Sequence, residues 1–344
     1  MKAAVLEQIN EPLAIAEVGL GTVSRGQVLV KMKVSGICGA QLQEIAGFKG
    51  NAKFVPHLLG HEGCGTVEEV GPDVSEVKKG DKVILHWKKG EGIESDFPSY
   101  TFNGKEIRSG KVTTFSEYTI VSENRVTSVP HDIPDDVCAL LGCGLSTALG
   151  AVFTEAQVRE GERVLVVGFG GLGAAVVKAA RIAKAGAVIV TDIHDSKRGA
   201  AEALGADLFI NILKEDIGEC LEKRYGAKDA HVIIETSGSA RAVEGSLPYL
   251  AGGGRYIMIG QPSPGESIVI QNAKHLFDGE GKSIRATQGG GFAPTRDIPR
   301  YLALYRDGTL DINHLITHRT TLDNLNNAIQ LMRDGKANRI MIDL

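Results

Sequence analysis

Cys38, His61, Glu62 and Cys143 offer two thiolates, an imidazole and a carboxylate, the ligand types a borderline-soft zinc ion takes. They stand far apart, in SGICGAQL, LLGHEGCGTVEEVG and LLGCGLSTALG, unlike the paired cysteines of a closed structural finger. Three protein ligands plus one exchangeable position make the catalytic kind of zinc site. Cys143 falls just before a nucleotide-binding pattern begins, which would set such a metal beside a nicotinamide. On spacing alone the plainer reading has the stronger claim: small core cysteines and a buried, hydrogen-bonded histidine. Cys64, Cys138 and Cys220 are read as core residues throughout.

The second constellation is Gly168, Gly170 and Gly173, a G-x-G-x-x-G run with Gly171 and Leu172 inside it, directly after RVLVVG and opening a helical pattern. The first two glycines permit a tight turn and close approach of a pyrophosphate. The third lets helix and strand pack, and the helix N-terminus supplies amides and partial positive charge. Asp192 ends the next strand, 19 residues beyond Gly173, where a carboxylate accepts both ribose hydroxyls of NAD and repels a 2′-phosphate. NAD is therefore expected over NADP. Lys197 and Arg198 suit an adenosine flank, and a solvated helix start explains them nearly as well.

Elements must hold these residues in place. The first ~145 residues carry short β-type runs broken by Gly and Pro, among them 28–34, 65–70, 81–87 and 116–121. From about residue 146 strands and helices alternate, with strands at 163–168, 187–192, DLFI, 231–235, 255–260 and 282–287. Right-handed crossovers turn that alternation into a doubly wound parallel sheet. The reading is an α/β chain with residues 146–287 as a Rossmann domain and residues 1–145 with 288–344 as a β-rich domain, QGGGF at 288–292 serving the crossing. Oligomeric state is not readable directly, but the apolar RYIMIG run suits an edge strand that pairs subunits, and a homo-oligomer is expected.

Composition sets the bounds. The 344 residues are 43% hydrophobic and 23% charged, which excludes disorder, and a net charge of −4 favours neither nucleic acid nor an acidic membrane as partner. Glycine stands out, with 43 residues. Glu7, Glu11 and Glu17 interrupt the N-terminal stretch, which reads as neither signal peptide nor anchor, so a cytoplasmic location is expected. The cysteine count of five argues against a disulfide framework.

Taken in order, GICG at Cys38, GHEGCGTVEEVG, GDKV at 80–83, CGLST at 143–147, GFGGLG and LITH…DGKANRI resemble the zinc-dependent alcohol dehydrogenases of the medium-chain dehydrogenase/reductase family, essentially end to end. The resemblance implies a GroES-like catalytic domain beside the Rossmann domain, and one catalytic zinc on Cys38, His61 and Cys143 with Glu62 as a nearby, sometimes ligating carboxylate. It implies that Thr147 and Leu172 pack by the nicotinamide, that Ile259, Gly260 and Gln261 offer backbone contacts to its carboxamide, and that Arg339 pairs the pyrophosphate. Trp87 matches a position lining the substrate pocket. The implied reaction is NAD-linked oxidation of an alcohol to an aldehyde or ketone by hydride transfer, and its reverse. A zinc-independent enone or quinone reductase of the same fold would lack the ligand set this chain retains, and a non-catalytic nucleotide-binding protein would sooner have lost a ligand.

Three departures bear on the substrate. The 88–112 segment lacks the four cysteines of relatives with a structural zinc. Ala40 and Gln43 stand where a hydroxyl and an imidazole commonly pass the alcohol proton outward. Gln41 replaces the Asp that orients the ligand histidine, its amide oxygen being expected to accept from His61. A polyol, sugar or cyclitol derivative would bring its own second hydroxyl, and Lys49 or Lys88 suits a phosphate on it.

Overall fold

The computed structural model describes residues 1–344 and every side chain but that of Asn51. It divides into two compact units: Met1–Gly144, Ala293–Ala303 and Ile316–Leu344 form the first, Leu145–Phe292 and Leu304–Leu315 the second. The stretch from 288 to 292, expected with the β-rich part, thus joins the nucleotide unit, as does 304–315. One tie is local: Lys178 Nζ reaches Asp311 Oδ2 at 2.8 Å.

The first unit is built on the long strand Gln27–Ile37, which pairs antiparallel with Glu62–Val70, Tyr118–Ser122 and the C-terminal Ile340–Asp343. Alternation in VLVKMKV turns Val28, Val30 and Met32 inward, against Val67, Val83, Leu85, Val121 and Val126. Each such side chain contributes about 1.5–3 kcal/mol when fully buried. A short helix, Gly39–Ile45, follows the strand directly, with Cys38 as its N-cap, and Asp135–Leu141 packs on the Glu62–Val70 strand. Cys38 caps the short helix, His61 immediately precedes the strand that Glu62 opens, and Cys143 follows the end of Asp135–Leu141.

The second unit is a six-stranded parallel sheet in the order Leu208–Asn211, Ala187–Asp192, Arg163–Val167, Ala230–Glu235, Leu250–Met258, Ser283–Ala286. Its central strands carry the apolar runs VLVV, AVIV and VII, as expected where helices cover both faces of a parallel sheet. Strand order reverses between Arg163–Val167 and Ala230–Glu235, and ligands of such sheets sit outside the carboxyl ends of the strands at that switch point. RYIMIG does not form an edge: Ser283–Ala286 pairs along it from Arg255 to Met258, and the exposed edge is Ser283–Ala286 itself. Among the described residues no single helix is long and apolar enough to cross a membrane.

Candidate active site

In the first unit, Cys38, His61 and Cys143 offer one ligand atom each, all within 4.8 Å of one another, the one such cluster of three among the described residues. His61 Nε2 lies 3.2 Å from Cys143 Sγ. Cys143 donates to Cys38, which with His61 holds the Cys38 thiol well below its usual range despite burial and holds Cys143 well above it. Burial alone would draw the His61 pKa down, but the Cys38 hydrogen bond and charge raise it. A compact set of two sulfurs and an imidazole, already partly anionic, fits a zinc ion in donor type and number.

Glu62 stands apart from that set. Fully buried, it directs Oε1 to Arg339 Nη1 at 2.6 Å and accepts Gly144 N–H on Oε2 at 3.1 Å. Burial raises its pKa against the pull of Arg339. Arg339, expected at a pyrophosphate, donates from Nη1 to Glu62 and to the Ile37 carbonyl (3.2 Å), so its charge balances a buried carboxylate. Residue 144 must be glycine here, since a Cβ would collide with Arg339 Nη2. Neither partner was visible to sequence reasoning as a pair, because 277 residues separate them.

Gln41 corrects an expectation. Its Oε1 accepts the Cys38 backbone N–H (3.0 Å) in a capping box, and a backbone amide can only donate, so the oxygen is fixed there. The amide nitrogen therefore faces His61 Nδ1 at 2.6 Å and reaches toward Glu44 Oε2 at 3.4 Å. Burial raises the Glu44 pKa. Trp87 is half-buried, its carbonyl accepting from Arg125 Nη1, and Lys88 is half-buried beside it. Lys49 is exposed; Lys53 Nζ and Arg108 stack on the Phe54 ring at 5.0 and 5.3 Å.

In the second unit the glycine turn does what its spacing requires. Gly168 adopts φ +88°, a Cβ at Gly173 would collide with the Gly168 carbonyl, and Gly170 faces open space where a phosphate would approach. Gly171 and Leu172 open the helix Gly171–Ile182, and Asp192 Oδ2 accepts Phe169 N–H at 2.8 Å and pairs Lys197 Nζ at 3.0 Å. Ile259 and Gly260 both donate to the Glu235 carbonyl, at 2.9 and 3.1 Å. Gln261 is exposed, and Thr147 is buried on the helix Gly144–Gly150. This cradle fits a dinucleotide. Sequence reasoning missed Glu235, a fully buried acid closing an apolar strand; its mismatch with HVII was the available signal.

Residues 24–131 match the alcohol dehydrogenase GroES-like domain and residues 171–307 the zinc-binding dehydrogenase domain. The chain is 30% identical over 374 residues to S-(hydroxymethyl)glutathione dehydrogenase of Paracoccus denitrificans, covering 99% of each chain. It is 31% identical to alcohol dehydrogenase 6 of Peromyscus maniculatus, covering 99% of this chain and 97% of that one. The crystal structure of an alcohol dehydrogenase zinc-binding domain protein from Burkholderia ambifaria superposes with a TM-score of 0.92 at 25% identity, covering 100% of this chain and 98% of that one. With both domain models matched and relatives aligned end to end, the chain belongs to the zinc-binding medium-chain dehydrogenase/reductase family and has the alcohol dehydrogenase fold.

Proposed function

We propose that this NAD(H)-linked oxidoreductase acts on a polar alcohol with several hydroxyls, such as a polyol, sugar or cyclitol derivative, oxidising a secondary hydroxyl to a ketone. The observation that carries this is the makeup of the helix Gly39–Ile45, where Ala40 and Gln43 provide neither hydroxyl nor imidazole to move the alcohol proton. Cys38, His61 and Cys143 would hold a zinc ion that would supply an electrophile for the alcohol oxygen, and the Gly168–Gly173 turn would hold NAD, which would supply the hydride acceptor. The chain's own residues do the rest. Cys38, its thiol held well below the usual range, offers the negative charge a cation needs, and Arg339 keeps the neighbouring Glu62 neutralised. Asp192 reads the ribose, Lys197 flanks it, Thr147 and Leu172 pack the nicotinamide, and Ile259, Gly260 and Gln261 present backbone groups to its carboxamide. Trp87 walls the substrate. A second hydroxyl on the substrate, or a water in the space a serine would fill at position 40, carries the proton outward.

Lys49, with Lys53 and Arg108 on the Phe54 ring, suits an anionic group on that substrate. The names of the relatives favour a second reading, a primary hydroxyl on a thiol–formaldehyde adduct carrying carboxylates. The five free cysteines support a reducing, cytoplasmic location, and the exposed Ser283–Ala286 edge supports a homo-oligomer.

The test compares kcat/KM for ethanol, benzyl alcohol, polyols, sugar phosphates and S-(hydroxymethyl)glutathione in wild type, Ala40→Ser and Lys49→Ala. Polyhydroxylated or phosphorylated substrates should lead by about tenfold or more, with Ala40→Ser raising the simple alcohols and Lys49→Ala lowering only the anionic ones. Plain alcohols leading, with the ranking unmoved by either substitution, would refute the reading; the glutathione adduct leading would select the second.

A further inference from the structure

Three strand ends meet around one acidic side chain in the nucleotide unit. Glu235 closes the strand Ala230–Glu235 and is wholly buried. Its Oε1 accepts from Ser237 N–H (2.6 Å), Gly238 N–H (2.9 Å) and the Ser237 hydroxyl. Its backbone carbonyl accepts from both Ile259 and Gly260. The next residue, Thr236, donates its hydroxyl to the carbonyls of Val167 (3.1 Å) and Gly168 (2.9 Å), at the entrance to the glycine turn. Oε2 has no hydrogen-bond partner and is aimed at Gly260, where a Cβ would sit 2.6 Å from it and would collide with Gly238 N as well. Gly238, at φ +71°, lies against the backbone of Gln261 in turn.

Sheet order says which half of a dinucleotide this cluster serves. Asp192 lies on one side of the glycine turn, on the strand Ala187–Asp192; the strands ending in Glu235 and Met258 lie on the other. A dinucleotide spans the switch point, so with its adenosine on the Asp192 side its nicotinamide half falls on the Glu235 side.

We propose that Glu235 is a positioning residue for the nicotinamide half of the cofactor, clamping Ser237–Gly238 against Ile259–Gln261 so that backbone groups of both turns face the ring's carboxamide and ribose. The inference rests on the NAD reading above and names a residue that never touches the cofactor. Burial raises the pKa of this carboxyl against the Ser237 and Gly238 hydrogen bonds that lower it. Glutamine keeps a side-chain oxygen to accept from Ser237 and Gly238; alanine removes that half of the clamp and leaves only the backbone carbonyl bonds to Ile259 and Gly260, and aspartate shortens the reach by one methylene.

The experiment titrates NADH fluorescence and, separately, ADP-ribose binding by calorimetry, on zinc-loaded wild type, Glu235→Gln, Glu235→Asp and Glu235→Ala. The expected result is an NADH Kd within threefold of wild type for Glu235→Gln, and at least tenfold weaker for Glu235→Ala and fivefold weaker for Glu235→Asp. ADP-ribose should bind all four within twofold. Should Glu235→Ala not fold, the Gln and Asp variants decide alone. Unchanged NADH affinity in Asp and Ala, equal weakening of NADH and ADP-ribose, or a Gln variant as weak as Asp each overturns the proposal. A wild type that binds neither probe overturns the cofactor reading, and this inference with it.

Discussion

Four hydrogen-bond donors converge on the Asp192 carboxylate: Phe169 N–H and Lys197 Nζ on Oδ2, Ile193 N–H and His194 N–H on Oδ1. Because Phe169 sits between the first two glycines of the turn, the carboxylate proposed above to read the ribose also holds the glycine turn in shape. Lys197 partly offsets its charge, so on the proposed reading a 2′-phosphate would be rejected by geometry as well as by repulsion. Asp192→Gly should therefore do two things at once. It should lower kcat/KM for NAD by about tenfold or more, from lost ribose bonds and a loosened turn, and shrink the NAD-to-NADP ratio. Steady-state kinetics with both cofactors checks this; a wild type that prefers NADP, or a ratio unchanged in the variant, would contradict it.

At the scale of elements, the segment 88–112 holds its shape through charge. Glu123 is buried and receives Ile93 N–H on Oε1 (2.7 Å) and Ser75 and Glu76 N–H on Oε2 (2.9 and 3.2 Å). Glu94 collects Arg125, Lys89, Lys111 and the Asn124 amide, and despite partial burial the Arg125 hydrogen bond brings its pKa down. Glu123→Ala strands three backbone amides and should cost about 2–4 kcal/mol, seen as a lower Tm, whereas Lys89→Ala should cost under about 1 kcal/mol because that pair is solvent-exposed. Equal effects would show that the segment does not depend on the buried carboxylate. The contrast also explains what was legible beforehand. The parallel strands and the Gly168–Gly173 turn could be read directly, since unbroken apolar runs and glycine sterics act within a few residues. Glu123, Glu235 and the Glu62–Arg339 pair could not, because a buried acid's partners are chosen by tertiary contact. The three ligands fall between: their spacing was mute, and the ordered motifs around them identified them. Gln41 misled because a short helix cap claimed its oxygen.

At the scale of the whole molecule, folding removes from water an imidazole that then takes up a proton only at lower pH. His86, fully buried at the end of Lys82–His86 and paired in the sheet with Glu62, binds the Lys88 carbonyl through Nδ1 (2.7 Å) and Thr127 Oγ1 through Nε2 (2.9 Å). Burial, reinforced by nearby Arg125, brings its pKa down to about 4 from an ordinary value of 6.5. Between those values the unfolded chain binds a proton there and the folded chain does not, so this residue's contribution to stability is full above pH 6.5 and falls as the pH drops toward 4. Between pH 7.5 and 4.5 the loss is about 2–3 kcal/mol. His86→Gln removes the titration while keeping a donor and an acceptor, so its unfolding free energy should decline less than that of wild type over that interval. Urea unfolding followed by the fluorescence of Trp87, the sole tryptophan and the next residue in the chain, measures both. Other groups titrate in the same range, among them His61 with its raised pKa and opposite sign, but they are common to both proteins and cancel in the difference. Parallel curves for the two proteins would mean that His86 is protonated in the fold and that its two hydrogen bonds are arranged otherwise.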